Sequence, residues 1–281
     1  MTATVSQSPP PTDPLAELIE RATAADGQPP FSDQSLVELE RGERSLIDSP
    51  HGVAVLSADE LELVVDPPFR GQGNGTVLLD TVLAARPSLE FAWAHGDHPA
   101  SRALAARFSF EPVRTLLQLR APVAESGSLR DGLRPPQGAV GFRPGIDDAA
   151  WLALNALAFS SHPEQGRMTQ RDLDARMAEP WFDPEDFLLL WDDGALAAFC
   201  WLKVDGPIGE FYAVGVDPAR QGQGLGRVLM DAGFSRLAER SIREAALYVE
   251  ADNEPALKLY ERYGFTRHTI DVRYRRRTVS D

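Results

Sequence analysis

The C-terminal half of the chain switches repeatedly between two apolar periods. Phe187 to Trp191 and Ala195 to Val204 are apolar runs separated by Asp192-Asp193-Gly194, a turn composition, and together they predict a hairpin. Gly209 to Val216 predicts another strand. Leu225 to Arg240 changes to a helical period, with Leu225, Leu229 and Ala232 on one face. Ala245 to Glu250 then predicts a strand, Glu254 to Tyr263 a helix, and Thr266 to Arg275 a last strand. Upstream, Phe142 to Pro144 predicts the start of a short strand, and Asp147 to Ala158 a helix whose apolar side includes Trp151, Leu154 and Leu157. Thr169 predicts the N-cap of a helix through Met177. Hairpin strands following one another among helices give a mixed α/β class, α+β-like rather than doubly wound.

The pattern occurs twice. Val65-Asp66-Pro67 precedes Arg70-Gly71-Gln72-Gly73-Asn74-Gly75, and Val216-Asp217-Pro218 precedes Gln221-Gly222-Gln223-Gly224-Leu225-Gly226, an offset of 151 residues that carries on from Leu78 to Leu229 and from Asp80 to Asp231. Further on, Asp97-His98-Pro99-Ala100 parallels Asp252-Asn253-Glu254-Pro255, and Phe110 parallels Phe265, at an offset of about 155. Two matches in the same order point to duplication of a whole domain. Residues 122–138 hold Pro, Gly, Ser and charge without an apolar period and read as a linker. The expected organisation is a disordered tail over 1–14, a first domain over 15–121, the linker, and a second domain over 139–281.

Composition narrows the class. Apolar residues make up 43% and charged residues 25% of the 281, as in soluble globular proteins. A formal net charge of -14 disfavours nucleic acid and anionic membrane surfaces as partners, since both need a basic face. The first 14 residues lack a basic segment followed by an apolar one, so a signal peptide is not expected. The single cysteine, Cys200, lies in an apolar run and reads as a buried thiol; cysteine poverty fits a cytoplasmic location. The five histidines are scattered without metal-ligand spacing, and no metal is expected.

The chemistry starts at the glycine loop Gln221-Gly222-Gln223-Gly224-Leu225-Gly226-Arg227, between a strand and an amphipathic helix. Glycines let successive backbone N–H groups turn inward and a bulky anion approach without meeting a Cβ, while the helix N-terminus adds partial positive charge. That suits a pyrophosphate. No Gly-Lys-Ser/Thr follows, so this is not a P-loop, and the glycine spacing is not that of a dinucleotide fold.

Together with Asn253, Ala256, Leu259-Tyr260 and Gly264-Phe265, after the strand that holds Tyr248, this loop resembles the GCN5-related N-acetyltransferase (GNAT) superfamily. The resemblance implies two tandem GNAT domains, each a mixed, mostly antiparallel sheet flanked by helices, with acetyl-CoA as co-substrate. It places the CoA contacts on Val214, Gly215 and Val216, on the loop Gln221 to Arg227, and on Asn253, Glu254, Pro255, Ala256, Leu257 and Lys258. In the first domain it places them on Leu63, Val64 and Val65 and on the loop Arg70, Gly71, Gln72, Gly73, Asn74 and Gly75.

A longer stretch is more specific. Phe159-Ser160-Ser161-His162-Pro163-Glu164-Gln165-Gly166-Arg167-Met168, Glu179-Pro180-Trp181-Phe182-Asp183-Pro184, Trp201-Leu202-Lys203-Val204 and Gly209-Glu210 resemble the mycothiol synthase family. That family acetylates the cysteinyl amine of cysteinyl-glucosaminyl-inositol. The resemblance implies Glu210 as the base that takes the amine proton and Tyr260 as the acid that protonates the leaving thiolate. It implies Asp33, Glu164, Lys203, Glu210 and Tyr248 as acceptor contacts, and His162 as a positioning residue. The first domain departs from the pattern: Ala105 stands where Tyr260 stands and His98 where Asn253 stands, so catalysis is expected only in the second domain. Asymmetric copies that can pack on each other suggest a monomer. An acetyltransferase of another amine, or an acetyl-CoA-binding regulatory module, is the competing reading.

Overall fold

The computed structural model describes residues 13–124, 138–160 and 166–277. They form two compact units. One gathers the chain up to Leu116 together with Thr269 onward; the other is Leu117–His268. The second unit is therefore nested, in sequence, inside the first.

In the first unit, helix α1 (Pro14–Asp26) starts at a proline with Asp13 capping Leu15 N–H, and α2 (Asp33–Glu40) is capped by Ser32. Strands β1 (Ser45–Ser49), β2 (Gly52–Leu56) and β3 (Glu60–Val65) form an antiparallel meander. Helix α3 (Asn74–Ala85), strand β4 (Phe91–His95) and helix α4 (Pro99–Arg107) follow. β4 runs parallel to β3, and its other edge takes the chain's last strand, β11 (Thr266–Arg276), antiparallel, with Asp271 opposite His95. The order is β1-β2-β3-β4-β11. Leu56, Leu61, Leu78, Val82 and Val272 fill the face toward α3 and α4, while Val53, Val55 and Val64 meet Leu18 and Phe31 on the other.

The second unit contains the latter half of β5 (Phe110–Pro122), β6 (Ala139–Gly141), α5 (Asp148–Ala158), α6 (Gln170–Met177), β7 (Phe187–Asp192), β8 (Ala195–Val204), β9 (Ile208–Val216), α7 (Leu225–Glu239), β10 (Glu244–Glu250) and α8 (Glu254–Arg262), in the sheet order β5-β10-β9-β8-β7-β6. The Asp192-Asp193-Gly194 turn carries positive φ at Asp193 and Gly194, as a two-residue hairpin turn requires. Thr169 caps α6 in a reciprocal box with Asp172, as its position predicts. One sheet face packs Leu229, Met230 and Leu237 of α7 against Cys200, Phe211 and Leu247. The other packs Trp151 and Leu154 of α5 and Leu173 of α6 against Phe187, Phe199 and Trp201.

Two local expectations need correction. The strand placed at Phe142 to Pro144 instead occupies Ala139–Gly141, because the Phe142 ring stacks on Phe187 at 4.4 Å and Arg143 N–H is taken by Asp147 at 2.9 Å, which turns the chain into α5. Leu157 is 56% exposed rather than on the buried stripe of α5, which is Trp151, Leu154 and Asn155. Trp201 sits at the centre of its core, stacked on Phe187 at 4.2 Å with Trp151 edge-on at 5.5 Å. Trp201→Ala is expected to cost about 3–5 kcal/mol, read from the urea midpoint of the second unit's unfolding transition.

Candidate functional site

The parallel pair β9–β10 is the key to the second unit. Its register runs from Ile208↔Glu244 to Phe211↔Leu247 and stops there, although β9 continues to Val216 and β10 to Glu250. The strands part, and the backbone of Tyr212 to Val216 that would otherwise bond β10 faces the gap. On its opposite edge β9 carries a bulge. Trp201 pairs with Ala213 and Leu202 with Phe211, leaving Tyr212 as the extra residue. Tyr212 and Ala213 consequently point to the same face, toward Trp201. After the bulge the alternation is shifted by one, so that Val214 and Val216 join Phe211 on the face of α7 and α8.

The glycine loop lies on that same face. Gly222 (φ 78°) and Gly224 (φ 82°) occupy the left-handed region that side chains avoid, and Gly224 is the N-cap of α7. No side chain caps this helix, so its first N–H groups are left for an outside acceptor. Helix α7 is held in place by the buried Asp186, which takes Arg236 at 2.7 Å and also Arg240. Helix α8 starts at Asn253, whose Oδ1 accepts from Ala256 N–H at 3.2 Å. Its following residue Tyr263 donates its hydroxyl proton to Asp231 and to Arg227 O, fastening α8 against α7. Gly226 packs so closely on α8 that a Cβ there would meet Leu259 at 3.2 Å.

Tyr260 lies in this clamp, half-buried and edge-on to Phe265 at 5.8 Å. Its hydroxyl makes no hydrogen bond among the described residues. Burial, with a smaller contribution from the neighbouring Cys200, pushes its pKa up to about 12, so it stays a protonated donor at neutral pH. Cys200 itself is fully buried, and burial alone raises its thiol out of the reactive range.

The predicted acceptor residues lie on the other face. Glu210 alternates with Phe211 and is in register with Lys203 of β8. The Lys203 ammonium sits 5.5 Å from the Trp181 ring, and Trp181 meets Tyr212 at 5.4 Å. Tyr248 is 46% exposed, and its hydroxyl accepts from Gln118 Nε2 at 2.6 Å. Sequence reading missed Tyr212; its signal is an aromatic residue in a strand whose phase the bulge alters. Glu164 and His162 lie outside the described residues. Asp33 is the first residue of α2 in the first unit.

The first unit repeats the parting of strands without the bulge. β3 and β4 pair only from Glu60↔Phe91 to Glu62↔Trp93, and β2–β3 is regular throughout. Its loop repeats the left-handed glycines, Gly71 and Gly73, again without a side-chain cap on the helix behind them. Between this loop, β3, β4 and α4 lies a cavity of about 830 Å³. Leu63, Val64, Val65, Arg70, Gly71, Gly73, Asn74 and Gly75 line it; Gln72 is not among the lining residues and bonds Pro68 O at 3.2 Å. On the opposite face stands an ion network that sequence reading did not find. Glu62, 2% exposed, accepts from Ser32 N–H at 3.0 Å and from the Ser35 hydroxyl, and lies 3.6 Å from His95. His95 bonds Asp271 at 2.9 Å.

A helix-capped glycine loop over a parted parallel strand pair, with a buried phenol on one side and a carboxylate on the other, defines an acyltransferase of the GNAT type. Residues 151–265 match the model of the acetyltransferase (GNAT) family. A solved tandem GNAT protein from the clavulanic acid biosynthesis pathway superposes with a TM-score of 0.66 at 17% identity, covering 95% of both chains, and so shares the fold. Mycothiol acetyltransferase of Clavibacter sepedonicus is 50% identical over 276 residues, covering 93% of this chain and 91% of that one. The Streptomyces avermitilis mycothiol acetyltransferase is 43% identical over 284 residues, covering 95% and 92%. The chain belongs to the mycothiol acetyltransferase family. Among the described residues no helix is long and apolar enough to cross a membrane.

Proposed function

We propose that this chain transfers the acetyl group of acetyl-CoA to the cysteinyl amine of cysteinyl-glucosaminyl-inositol in the cytoplasm, with the second unit as the catalyst. The observation that carries the reading is the division of labour across β9–β10: the loop, α7 and Tyr260 lie on one face, Glu210, Lys203 and Trp181 on the other, and the parted strands connect them. The residues present fit acetyl-CoA, which when bound supplies the activated acetyl thioester. The uncapped N–H groups at Leu225 and Gly226 suit its pyrophosphate, and the exposed backbone of Val214 to Val216 suits its amide arm.

The chain's own groups then divide the proton work. A cysteinyl amine has a pKa of about 7.7–8, so a tenth or more is neutral at pH 7 and a carboxylate base is sufficient; Glu210 takes that role, directly or through one water. A strand N–H near Gly215 donates to the carbonyl oxygen as charge develops there. Tyr260 gives its proton to the departing sulfur. A phenol at about 12 is a weak acid against a free thiol near 8.5, but the burial that raises Tyr260 disfavours the thiolate as well, which keeps the transfer feasible. Lys203, Tyr248 and Glu164 are proposed acceptor contacts, and the family resemblance adds Asp33 to them.

In the first unit the loop Arg70 to Gly75 is proposed to hold a CoA pyrophosphate without catalysis. Ala105 cannot donate a proton, and the face on which an amine would have to arrive carries the Glu62–His95–Asp271 network in place of a free carboxylate base. The purified protein, given acetyl-CoA and cysteinyl-glucosaminyl-inositol, is expected to yield the N-acetylated product by mass spectrometry, with simple cysteine amides acetylated poorly. Acetyl-CoA binding without product would remove the acceptor assignment and leave the acyltransferase.

A further inference from the structure

The cavity of the first unit extends from the glycine loop to the unit's apolar core. In the second unit the Phe265 ring is met edge-on by Tyr260. At the matching place in the first unit Phe110 has Ala105 for a neighbour, and both line the cavity. The side chain at this position is smaller by a phenol ring, and Leu61, Leu79, Ala92 and Tyr274 of the unit's apolar core line the same cavity. Natural cores are close-packed, so an apolar recess of this kind opening off a ligand channel is a feature to be explained. The site is in the upper range of small-molecule pockets at about 830 Å³.

We propose that the first unit is a binding site for CoA thioesters whose acyl chain is longer than acetyl, the chain lying in the recess between Ala105 and Phe110. The proposal rests on the reading that the Arg70 to Gly75 loop holds the CoA pyrophosphate. Mouth and recess carry different chemistry. At the mouth are the loop and the Arg70 guanidinium, which Asp26 grips at 2.6 and 2.9 Å, and His98 at the head of α4. Around Ala105 the lining side chains are mainly aliphatic and aromatic, Tyr274 adding its phenol, and they reward methylenes. The second unit has Tyr260 in that place and so has room for a small acyl group only. The duplicated fold thereby carries two sites of different acyl preference.

The test is a titration of the full-length protein with acetyl-, butyryl- and hexanoyl-CoA by calorimetry, with amide hydrogen exchange to locate each ligand. At about fourfold per buried methylene, butyryl-CoA is expected to bind the first unit roughly 15-fold more tightly than acetyl-CoA, with added protection of Pro99–Arg107. Ala105→Tyr should abolish that gain while acetyl-CoA still protects the loop at residues 70–75. If Ala105→Tyr fails to fold, the chain-length series on the natural protein still decides. Equal affinity along the series, or a gain with protection at Glu254–Arg262 instead, would overturn the proposal alone. No protection of the 70–75 loop by any of the three thioesters would overturn both the proposal and the reading it rests on.

Discussion

Tyr260→Phe is expected to lower kcat by about 10²- to 10⁴-fold while acetyl-CoA affinity changes by less than about twofold. The asymmetry follows from the surroundings of the side chain. The ring packs on Phe265, and phenylalanine preserves that contact, so the clamp of α7 and α8 stays intact. The hydroxyl makes no hydrogen bond among the described residues, so its removal orphans no partner. What disappears is the hydroxyl proposed to protonate the departing sulfur. Because burial holds this phenol at about 12, activity of the natural enzyme should not fall through deprotonation of Tyr260 near pH 10, where an ordinary tyrosine titrates. Single-turnover kinetics beside calorimetric acetyl-CoA binding separate the two quantities; equal losses in both would show that Tyr260 only shapes the pocket. Tyr263→Phe is the informative contrast. It removes a hydroxyl that bonds Asp231 and Arg227 O, and its effect should fall on stability.

Glu62→Gln is expected to destabilise the first unit by about 3–5 kcal/mol, the usual consequence of breaking a buried charge pair from one side. Burial alone would raise the Glu62 carboxyl, but His95, Ser35 and Ser32 outweigh it and hold it below its ordinary value. Burial likewise opposes the His95 charge, yet Asp271 and Glu62 push its pKa up to about 9. A histidine raised in the folded state stabilises fully below its ordinary 6.5, and that stabilisation is lost as pH rises toward 9. The rise corresponds to on the order of 3 kcal/mol. The contribution of Glu62 has the opposite sense, present above the ordinary carboxylate range and lost on acidification. Thermal unfolding between pH 6 and 9.5 should show the natural protein losing stability on the alkaline side, and Glu62→Gln should shrink that loss. An unchanged slope in the variant would refute the coupling.

The elements that place the site were largely legible because their signals are local. Thr169 and Asp172 form a capping box by spacing alone, the Asp192-Asp193-Gly194 turn allows only a hairpin, and Gly222 and Gly224 mark a left-handed loop before a helix. The bulge at Tyr212 was not legible. It inserts one residue into a strand whose apolar alternation looks continuous, and it reverses the faces of everything after it. The first unit's ion network was hidden for another reason: Glu62, His95 and Asp271 are ordinary strand residues in sequence, and their meeting depends on the register between β4 and β11. Asn253, which the resemblance places among the cofactor residues, also has a local task that spacing alone does not reveal: its Oδ1 accepts from Ala256 N–H and sets where α8 begins.

The placement of β11 also has a consequence in time. His95 is bonded to a residue 176 positions further along the chain, and Thr269 onward is synthesised only after the whole of the second unit. The half that is synthesised first is therefore completed last. Until that segment arrives, its sheet stops at β4 with an unpaired edge and a histidine lacking one of its two carboxylates. The second unit, whose residues are contiguous from Leu117 to His268, has no such wait. A nascent or truncated chain ending shortly after Phe265 would hold an almost complete second unit, the one proposed to be catalytic, while the sheet of the first unit is still unfinished.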